Sequence, residues 1–482
     1  MAVRRLEPCV QLPLDEKTLK EVVTSARDWA LMHGACMRSK TNYNEDILQF
    51  APFALLPSVF PRKEFERAVN IQPILNELMH KVAHDHEFLT SSLKSTIEVD
   101  EFTGNMFKIY ETVYNEGFAQ QEVSLGLLRS DYMVHSYSDS VVKQVEINTI
   151  ASSFGAISSK LTAFNRYVLR ELGHEEKLEN LPPNSALAGL CGGMIEAWKI
   201  YDNPKAVIMI VVEDVTYNIC DQRFHEFYIR ENHPDVGVLR RRFSDLKEQA
   251  KLTDNKALFV DGHEVAVVYY RTAYEPAQYG GAEGWKTRLL IERSKAIKCP
   301  SIHYHLAGTK KVQQALAHPG CLERFITDSA KVEAIREIFT GLYSLDFDEH
   351  GDRAVDMAIA NPERYVLKPQ REGGGNNVYG QKIRGVVEKM KSSKERTAWI
   401  LMERIAPPVQ KNYIVRPGQN NVPEPTDVVS ELGIFGVVIG DAEKILVNEQ
   451  VGHMLRTKLS TVDEGGVAAG LGALDSPYLA DL

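Results

Sequence analysis

The chain has 482 residues, enough for two or three domains of ordinary size. Its 44% hydrophobic and 25% charged content is globular and excludes a disordered chain or a coiled-coil rod. Lys and Arg total 56 against 65 Asp and Glu, a net charge of −9, which argues against a general nucleic-acid binder but leaves room for a small anion in a local basic pocket. The apolar run Ala206-Val-Ile-Met-Ile-Val-Val212, bounded by Lys205 and Glu213, falls well short of the roughly 20 residues a bilayer span needs. Met1-Ala-Val-Arg-Arg-Leu-Glu7 has a charged start without an apolar stretch behind it, so no secretory signal is expected. Cys9, Cys36, Cys191, Cys220, Cys299 and Cys321 are scattered without a C-x-x-C, the pattern of reduced, buried thiols in a cytosolic protein.

Residues 15–34 predict an amphipathic helix, with Leu19, Val22, Val23, Ala26, Trp29 and Ala30 at helical spacing and Asp15 as its cap. Residues 62–128 continue the helical pattern. Residues 141–148 alternate as a strand does. The runs 205–213 and 264–271 read as buried parallel strands. Helical, charged stretches near 219–232 and 244–251 lie between them, which predicts a small α/β unit from about 205 to 305. Four strand candidates follow, at 364–370, 399–405, 428–439 and 444–458, around a glycine cluster and a helix near 381–392. This predicts an α+β arrangement with an antiparallel sheet. Residues 416–426, rich in Pro, Asn and Gly, read as a surface loop.

The segment Lys368-Pro-Gln-Arg-Glu-Gly-Gly-Gly-Asn-Asn-Val-Tyr379 is the most informative. Three consecutive glycines after a strand let the backbone wrap a ligand closely, and exposed amides there can cradle phosphate. Lys368 adds a cation, and Glu372 offers a carboxylate for a bridging metal. The segment matches neither a Walker A loop nor G-x-G-x-x-G. The alternative is a flexible turn among solvated charges. Glu146 and Asn148 leave the same face of their strand and both offer oxygen ligands suited to Mg²⁺, although E-x-N on a strand is usually just solvated. Arg129-Ser-Asp-Tyr132 and Arg271-Thr-Ala-Tyr274 each present an Arg able to grip a carboxylate in two-point fashion, with a surface salt bridge as the simpler reading of either alone. Arg456-Thr-Lys458, ahead of Glu464-Gly-Gly-Val-Ala-Ala-Gly470, can form a second anion site or an ordinary strand end. His80, His84 and His86 share helical spacing but read as a solvated face rather than a metal site. With no H-E-x-x-H and no G-x-S-x-G, nothing points to covalent nucleophilic catalysis.

These residues resemble a known family. Lys368–Asn377 is similar to the glycine-rich loop of the eukaryotic glutathione synthetases. So are Gln144-Val-Glu-Ile-Asn-Thr149, Arg129-Ser-Asp-Tyr-Met133, Leu306-Ala-Gly-Thr-Lys-Lys-Val-Gln-Gln314, Ser430-Glu-Leu-Gly-Ile-Phe-Gly436 and Leu455-Arg-Thr-Lys458. They occur in the family's order over nearly the whole chain.

The resemblance implies an ATP-grasp fold with a small inserted parallel α/β substrate domain. Its parts would be 1–204 (helical region and part of the ATP-grasp core), 205–307 (substrate-binding α/β domain) and 308–482 (ATP-grasp domain with a glycine-rich lid). It implies a cytoplasmic homodimer, without nucleic-acid or membrane partners, that uses ATP and Mg²⁺. The activity implied is joining γ-glutamylcysteine to glycine through an acyl phosphate, giving glutathione, ADP and phosphate. A related ligase with another small amine acceptor, or a binding protein that has lost turnover, are the rival readings.

By the same resemblance, Glu146, Asn148 and Glu372 match metal ligands. Lys310, Lys368, Gly373, Gly374, Gly375, Asn376, Asn377, Tyr379, Met402, Glu403, Arg404, Ile405, Glu431, Lys458 and Glu464 join Glu146 and Glu372 around the nucleotide. Arg129, Ala151, Ser152, Ser153, Thr216, Tyr217, Asn218, Gln222, Arg271, Tyr274, Arg456, Val467 and Ala468 line the peptide and glycine sites. Arg129, Lys310, Lys368 and Arg456 are the expected catalytic cations. Three positions depart from the family: Thr216 stands where it often has Glu, Ala151 replaces a Ser, and Glu464 replaces an Asp.

Overall fold

The structure, a computed structural model, describes residues 4–117, 122–136, 141–372, 374–419, 421–467 and 471–482. It is a mixed α/β chain with several sheets. Its largest sheet has nine strands and is built around two long neighbours, Thr426–Gly440 and Ile445–Leu459, which pair antiparallel. Ser124–Val134 adds antiparallel to the first of these, and Val142–Asn148 adds antiparallel to Ser124–Val134.

Register decides what this sheet presents. Arg129 lies opposite Asn148 and Asp131 opposite Glu146, while Glu431 lies opposite Arg456 and Val429 opposite Lys458. Directly opposed residues of antiparallel strands share a face, and side chains alternate between faces. All these polar groups therefore leave one side of the sheet. Further along the same face the residues become apolar, with Leu125, Leu127, Phe435 and Val437 packed beneath helices Gly155–Glu171 and Ala186–Tyr201. The opposite face carries Leu128, Tyr132, Leu432, Ile434 and Leu455, and helix Arg62–Ala83 packs against it. One face is thus half core and half site.

A second sheet holds strands Val207–Val212, Gly237–Arg242, His263–Tyr270 and Ile297–Cys299 in parallel, with a short antiparallel edge at Leu258–Val260 and Ala250–Leu252. Every residue of Val207–Val212 is buried, as expected of a parallel strand covered on both faces. Helix Ile219–Asn232 makes the crossover between its first two strands. The third sheet is antiparallel, in the order Leu342–Ser344, Trp399–Glu403, Tyr365–Pro369, Val378–Tyr379. Helices Glu349–Ala360 and Lys382–Met390 supply its apolar layer.

The first helix runs Glu16–Met32, with the Asp15 carboxylate accepting from Thr18 N at 3.0 Å. Four expectations need correction. Among the described residues of 62–128 there are three helices, Arg62–Ala83, His86–Leu93 and Glu101–Asn115, and then the start of a strand at Ser124. The 244–251 stretch is one short turn of helix, Leu246–Gln249, running into strand Ala250–Leu252. The four C-terminal strands belong to two sheets, not one. His80 is also not solvated: it is 3% exposed, with Nδ1 against Tyr304 Oη at 2.5 Å. All six cysteines are free, four of them buried and Cys220 and Cys321 partly so.

Candidate active site

The polar half of the large sheet faces a cavity of about 910 Å³, closed on its other sides by the antiparallel four-stranded sheet, the glycine-rich segment and the loop that follows Leu459. Lys310, the first residue of helix Lys310–Leu316, lies within it. Its Nζ contacts Glu372 Oε1 at 2.6 Å and Glu146 Oε2 at 3.3 Å. The neighbouring Lys311 points the other way, to Asp346 and Ser344, and its backbone N–H donates to Gln370 Oε1 at 3.0 Å. That bond ties the start of the helix to the strand carrying Lys368. Lys368 is 4% exposed and donates to the Val145 carbonyl at 3.0 Å.

Burial pushes the Glu146 carboxyl up, but Lys310, Lys368, Arg456 and Arg129 outweigh it and hold it below the ordinary carboxylate range. Glu372 is pushed up by burial and by the charge of Glu146, against the pull of Lys310. Lys310 itself rises despite burial, because it sits between these two carboxylates. Burial lowers Lys368. Two half-buried carboxylates that share one ammonium can also share a divalent cation, and Asn148 adds an amide oxygen, so the donor set suits Mg²⁺. Asn148 Nδ2 donates to Arg129 O and Asp131 Oδ2, at 3.2 and 3.0 Å.

Arg129 is gripped by Asp131 through Nε and Nη2, at 2.7 and 2.8 Å, and its Nη1 donates to the Ser153 carbonyl at 3.2 Å. Gly433 makes room for this pair: a Cβ there would lie 2.9 Å from Arg129 Cδ and 3.0 Å from Asp131 Oδ1. Arg456 pairs with Glu431 and lies 3.6 Å from Asp131. Glu464 accepts from the backbone N–H of Gly375 and, at 3.3 Å, of Asn377, so a carboxylate caps the glycine-rich segment. Lys458 donates to the Asp463 carbonyl, and Arg404 pairs with Asp463 at 3.1 Å. Met402 and Ile405 are buried beside Tyr379 and Glu403 in the same wall.

A second group of residues gathers where strands Val207–Val212 and His263–Tyr270 end. Arg271 is buried and donates through Nη2 to Asp221 Oδ2 at 2.9 Å and to Ser153 Oγ at 3.1 Å. Asp221 also accepts from the N–H groups of Phe154, Ala156 and Ile157, at 2.8, 3.0 and 3.3 Å, which caps helix Gly155–Glu171. Arg271 Nε and Nη1 are buried without a hydrogen-bond partner, as is Asn218 Oδ1. Ala151, Phe154 and Ala273 adopt left-handed backbone, with φ of 49°, 73° and 71°. Such conformations cost about 1–3 kcal/mol each outside glycine. All three lie in the two loops that present Ser153 and Arg271.

Most of the residues expected from the sequence lie on the large cavity, including Arg129, Glu146, Asn148, Lys310, Lys368 and Glu372. Gly374, Asn376, Asn377, Tyr379, Glu431, Arg456, Lys458, Glu464 and Val467 do so too, and Ala151, Ser153 and Tyr274 join them. Ser152 turns away, its Oγ donating to the Leu127 carbonyl at 2.8 Å. Thr216 lines a second cavity of about 580 Å³, and the ring of Tyr217 packs edge-on against Tyr43. Gly373 and Ala468 lie outside the described residues. Asp131 and Asp221 were not singled out by the sequence. The only signal for Asp131 is its place two residues from Arg129 on one strand, and nothing local marks Asp221.

A model of the eukaryotic glutathione synthase ATP-binding domain matches residues 16–479. The glutathione synthetase of Xenopus laevis is 45% identical over 469 residues, 96% of this chain and 98% of that protein. The chloroplastic glutathione synthetase of Arabidopsis thaliana is 38% identical over 475 residues, 97% of this chain and 86% of that protein. Among solved structures, a glutathione synthetase-like effector from Globodera pallida, in its apo form, superposes with a TM-score of 0.77 at 26% identity, over 97% of this chain and 98% of that one.

Proposed function

The chain belongs to the eukaryotic glutathione synthase family and is an ATP-using ligase of glutathione synthesis, and we propose that it works by turning the cysteinyl carboxylate of γ-glutamylcysteine into an acyl phosphate that the amine of glycine then attacks. A carboxylate resists an amine, because its charge repels the nucleophile and oxide is a poor leaving group. Transfer of the γ-phosphoryl group removes both obstacles. The observation that carries this reading is Lys310 held between Glu146 and Glu372, with Lys368 beside them and Arg129 and Arg456 on the facing sheet.

In this mechanism Lys310 and Lys368 hold the phosphates, and the amides of the glycine-rich segment close over them. Met402 and Ile405 pack on the purine, and Glu431 accepts from the ribose. Glu146, Glu372 and Asn148 would hold Mg²⁺, which would supply positive charge to offset that of the phosphates. Arg129, oriented by Asp131, faces the reacting carboxyl, and Arg456 holds the carboxylate of glycine. Arg271, Ser153, Gln222 and Tyr274 take the γ-glutamyl end. The unpartnered N–H groups of Arg271 support that assignment, since a buried guanidinium with open donors is suited to a carboxylate.

We further assign an ATP-grasp fold with parts at 1–204, 205–307 and 308–482. The six-stranded sheet, whose strands run from Val207 to Cys299 along the chain, supports the middle part. No helix of the described residues is long and apolar enough to cross a membrane. We propose a cytoplasmic homodimer, and the exposed Leu31, Met32, Ile47 and Leu48 offer it an apolar surface. The test of the function is phosphate release from ATP: it should require γ-glutamylcysteine and glycine together. Release with neither, or with another amine in preference to glycine, would contradict it.

A further inference from the structure

By the family resemblance Thr216 stands where a carboxylate is often found, and the structure shows what its hydroxyl does. Thr216 Oγ1 accepts from Arg240 Nη2 at 3.1 Å, so it is already engaged by a cation. The substrate end gathered at Arg271 carries an α-ammonium as well as a carboxylate, and an ammonium needs an acceptor that no cation already occupies. Three carboxylates contact the side chains of Arg271, Arg240 or Gln222. Asp221 is taken by Arg271 and three backbone N–H groups. Glu226 is taken by Arg223 and Arg240, at 2.6 and 2.8 Å. Glu213 has neither fate: its two oxygens meet only the side-chain amide of Gln222, at 3.2 and 3.3 Å, and it forms no ion pair with any described residue.

Its position suits the task. Glu213 follows strand Val207–Val212 directly, and Arg271 follows the neighbouring parallel strand, its N–H donating to the Val211 carbonyl at 2.8 Å. Both leave the carboxyl ends of adjacent parallel strands, where open α/β sheets place their ligands. Burial raises Tyr274 and the Glu213 charge adds to it, while Arg271 is raised against burial by Tyr269 and Asp221, with Glu213 adding to them. The 580 Å³ cavity is lined by Glu213, Thr216 and Arg240. Gln222 links the group, since its Oε1 accepts from Arg240 Nη2 at 2.8 Å while its Nε2 holds Glu213.

We propose that Glu213 is the residue that recognises the α-ammonium of the γ-glutamyl end, doing from one loop position what a carboxylate at 216 would otherwise do. The proposal rests on γ-glutamylcysteine being the substrate. Its test compares γ-glutamylcysteine with glutarylcysteine, which lacks only the α-amino group, in the wild type and in Glu213→Gln, with glycine and ATP saturating.

The variant is expected to lose about 10–100-fold in kcat/KM for γ-glutamylcysteine, mostly through KM, and almost nothing for glutarylcysteine. The KM for glycine and the affinity for ATP should stay at their wild-type values. Equal losses on both substrates, or no loss on either, would overturn the proposal. Should Glu213→Gln fail to fold, the same ratio is read from Glu213→Asp, where an unchanged preference for the amino substrate also overturns it. A wild type that makes no glutathione would instead remove the functional reading, a separate outcome from the same assay.

Discussion

The two ends of the proposed site are built on opposite plans. At the proposed nucleotide end the charges satisfy one another: Lys310 bridges Glu146 and Glu372, and Glu464 caps the amides of Gly375 and Asn377. At the peptide end Arg271 keeps two buried donors open, and three non-glycine residues hold left-handed backbone to present the loops. In the proposed mechanism the first arrangement exchanges partners when a phosphate arrives. The second is preformed and stores its cost in the fold. Substitutions at the nucleotide end should therefore change function with little loss of stability, and those at the peptide end should change both.

The largest expected effect tests the second half of that contrast. Asp221→Ala leaves Arg271 as a buried, unpaired charge and uncaps helix Gly155–Glu171. It should destabilise the protein by about 3–5 kcal/mol, read from the midpoint of denaturant unfolding. A loss under about 1 kcal/mol would mean the peptide end is not preformed. Next, Lys368→Ala should lower kcat/KM for ATP by about 100-fold or more while unfolding at nearly the wild-type midpoint. Near-normal turnover in a folded variant would remove Lys368 from the phosphates. Glu146→Gln and Glu372→Gln should each raise the Mg²⁺ needed for half-maximal rate by roughly tenfold. Unchanged titrations in both would break the shared-ion assignment. The smallest effect belongs to Glu464→Gln. Its stability should stay within about 0.5 kcal/mol of wild type. Hydrogen exchange at the Gly375 and Asn377 amides should quicken in the absence of nucleotide, and slower or equal exchange would show that Glu464 does not hold them.

The same contrast explains what the sequence discloses. The nucleotide end is written in short contiguous runs. Lys368, Glu372 and the glycines lie within eight residues, and Glu146 and Asn148 share a strand face by simple alternation. Lys310 carries no local signal of this kind and is identified only through the family resemblance. The peptide end is written across the chain, with Ser153, Asp221 and Arg271 meeting only after the parallel strands and helix Gly155–Glu171 are in place. The seven strand candidates fall on strands, but Ser124–Val134 and Gly237–Arg242 carry no such signal, and strand partners are not legible either. Ser124–Val134 pairs with Thr426–Gly440 some three hundred residues away, so nothing near 428–458 reveals that those strands leave the sheet of 365–369 and 399–403. His80 reads as solvated for a related reason, because Tyr304, whose hydroxyl meets its Nδ1, comes from a distant helix.

The central claim is that the nucleotide end activates a carboxylate held by the peptide end. Its most direct measurement is a single turnover with γ-glutamylcysteine labelled with heavy oxygen in its cysteinyl carboxylate, followed by mass analysis of the phosphate released. Transfer through an acyl phosphate predicts one labelled oxygen in each phosphate. Unlabelled phosphate, with glutathione formed at the normal rate, would contradict the account.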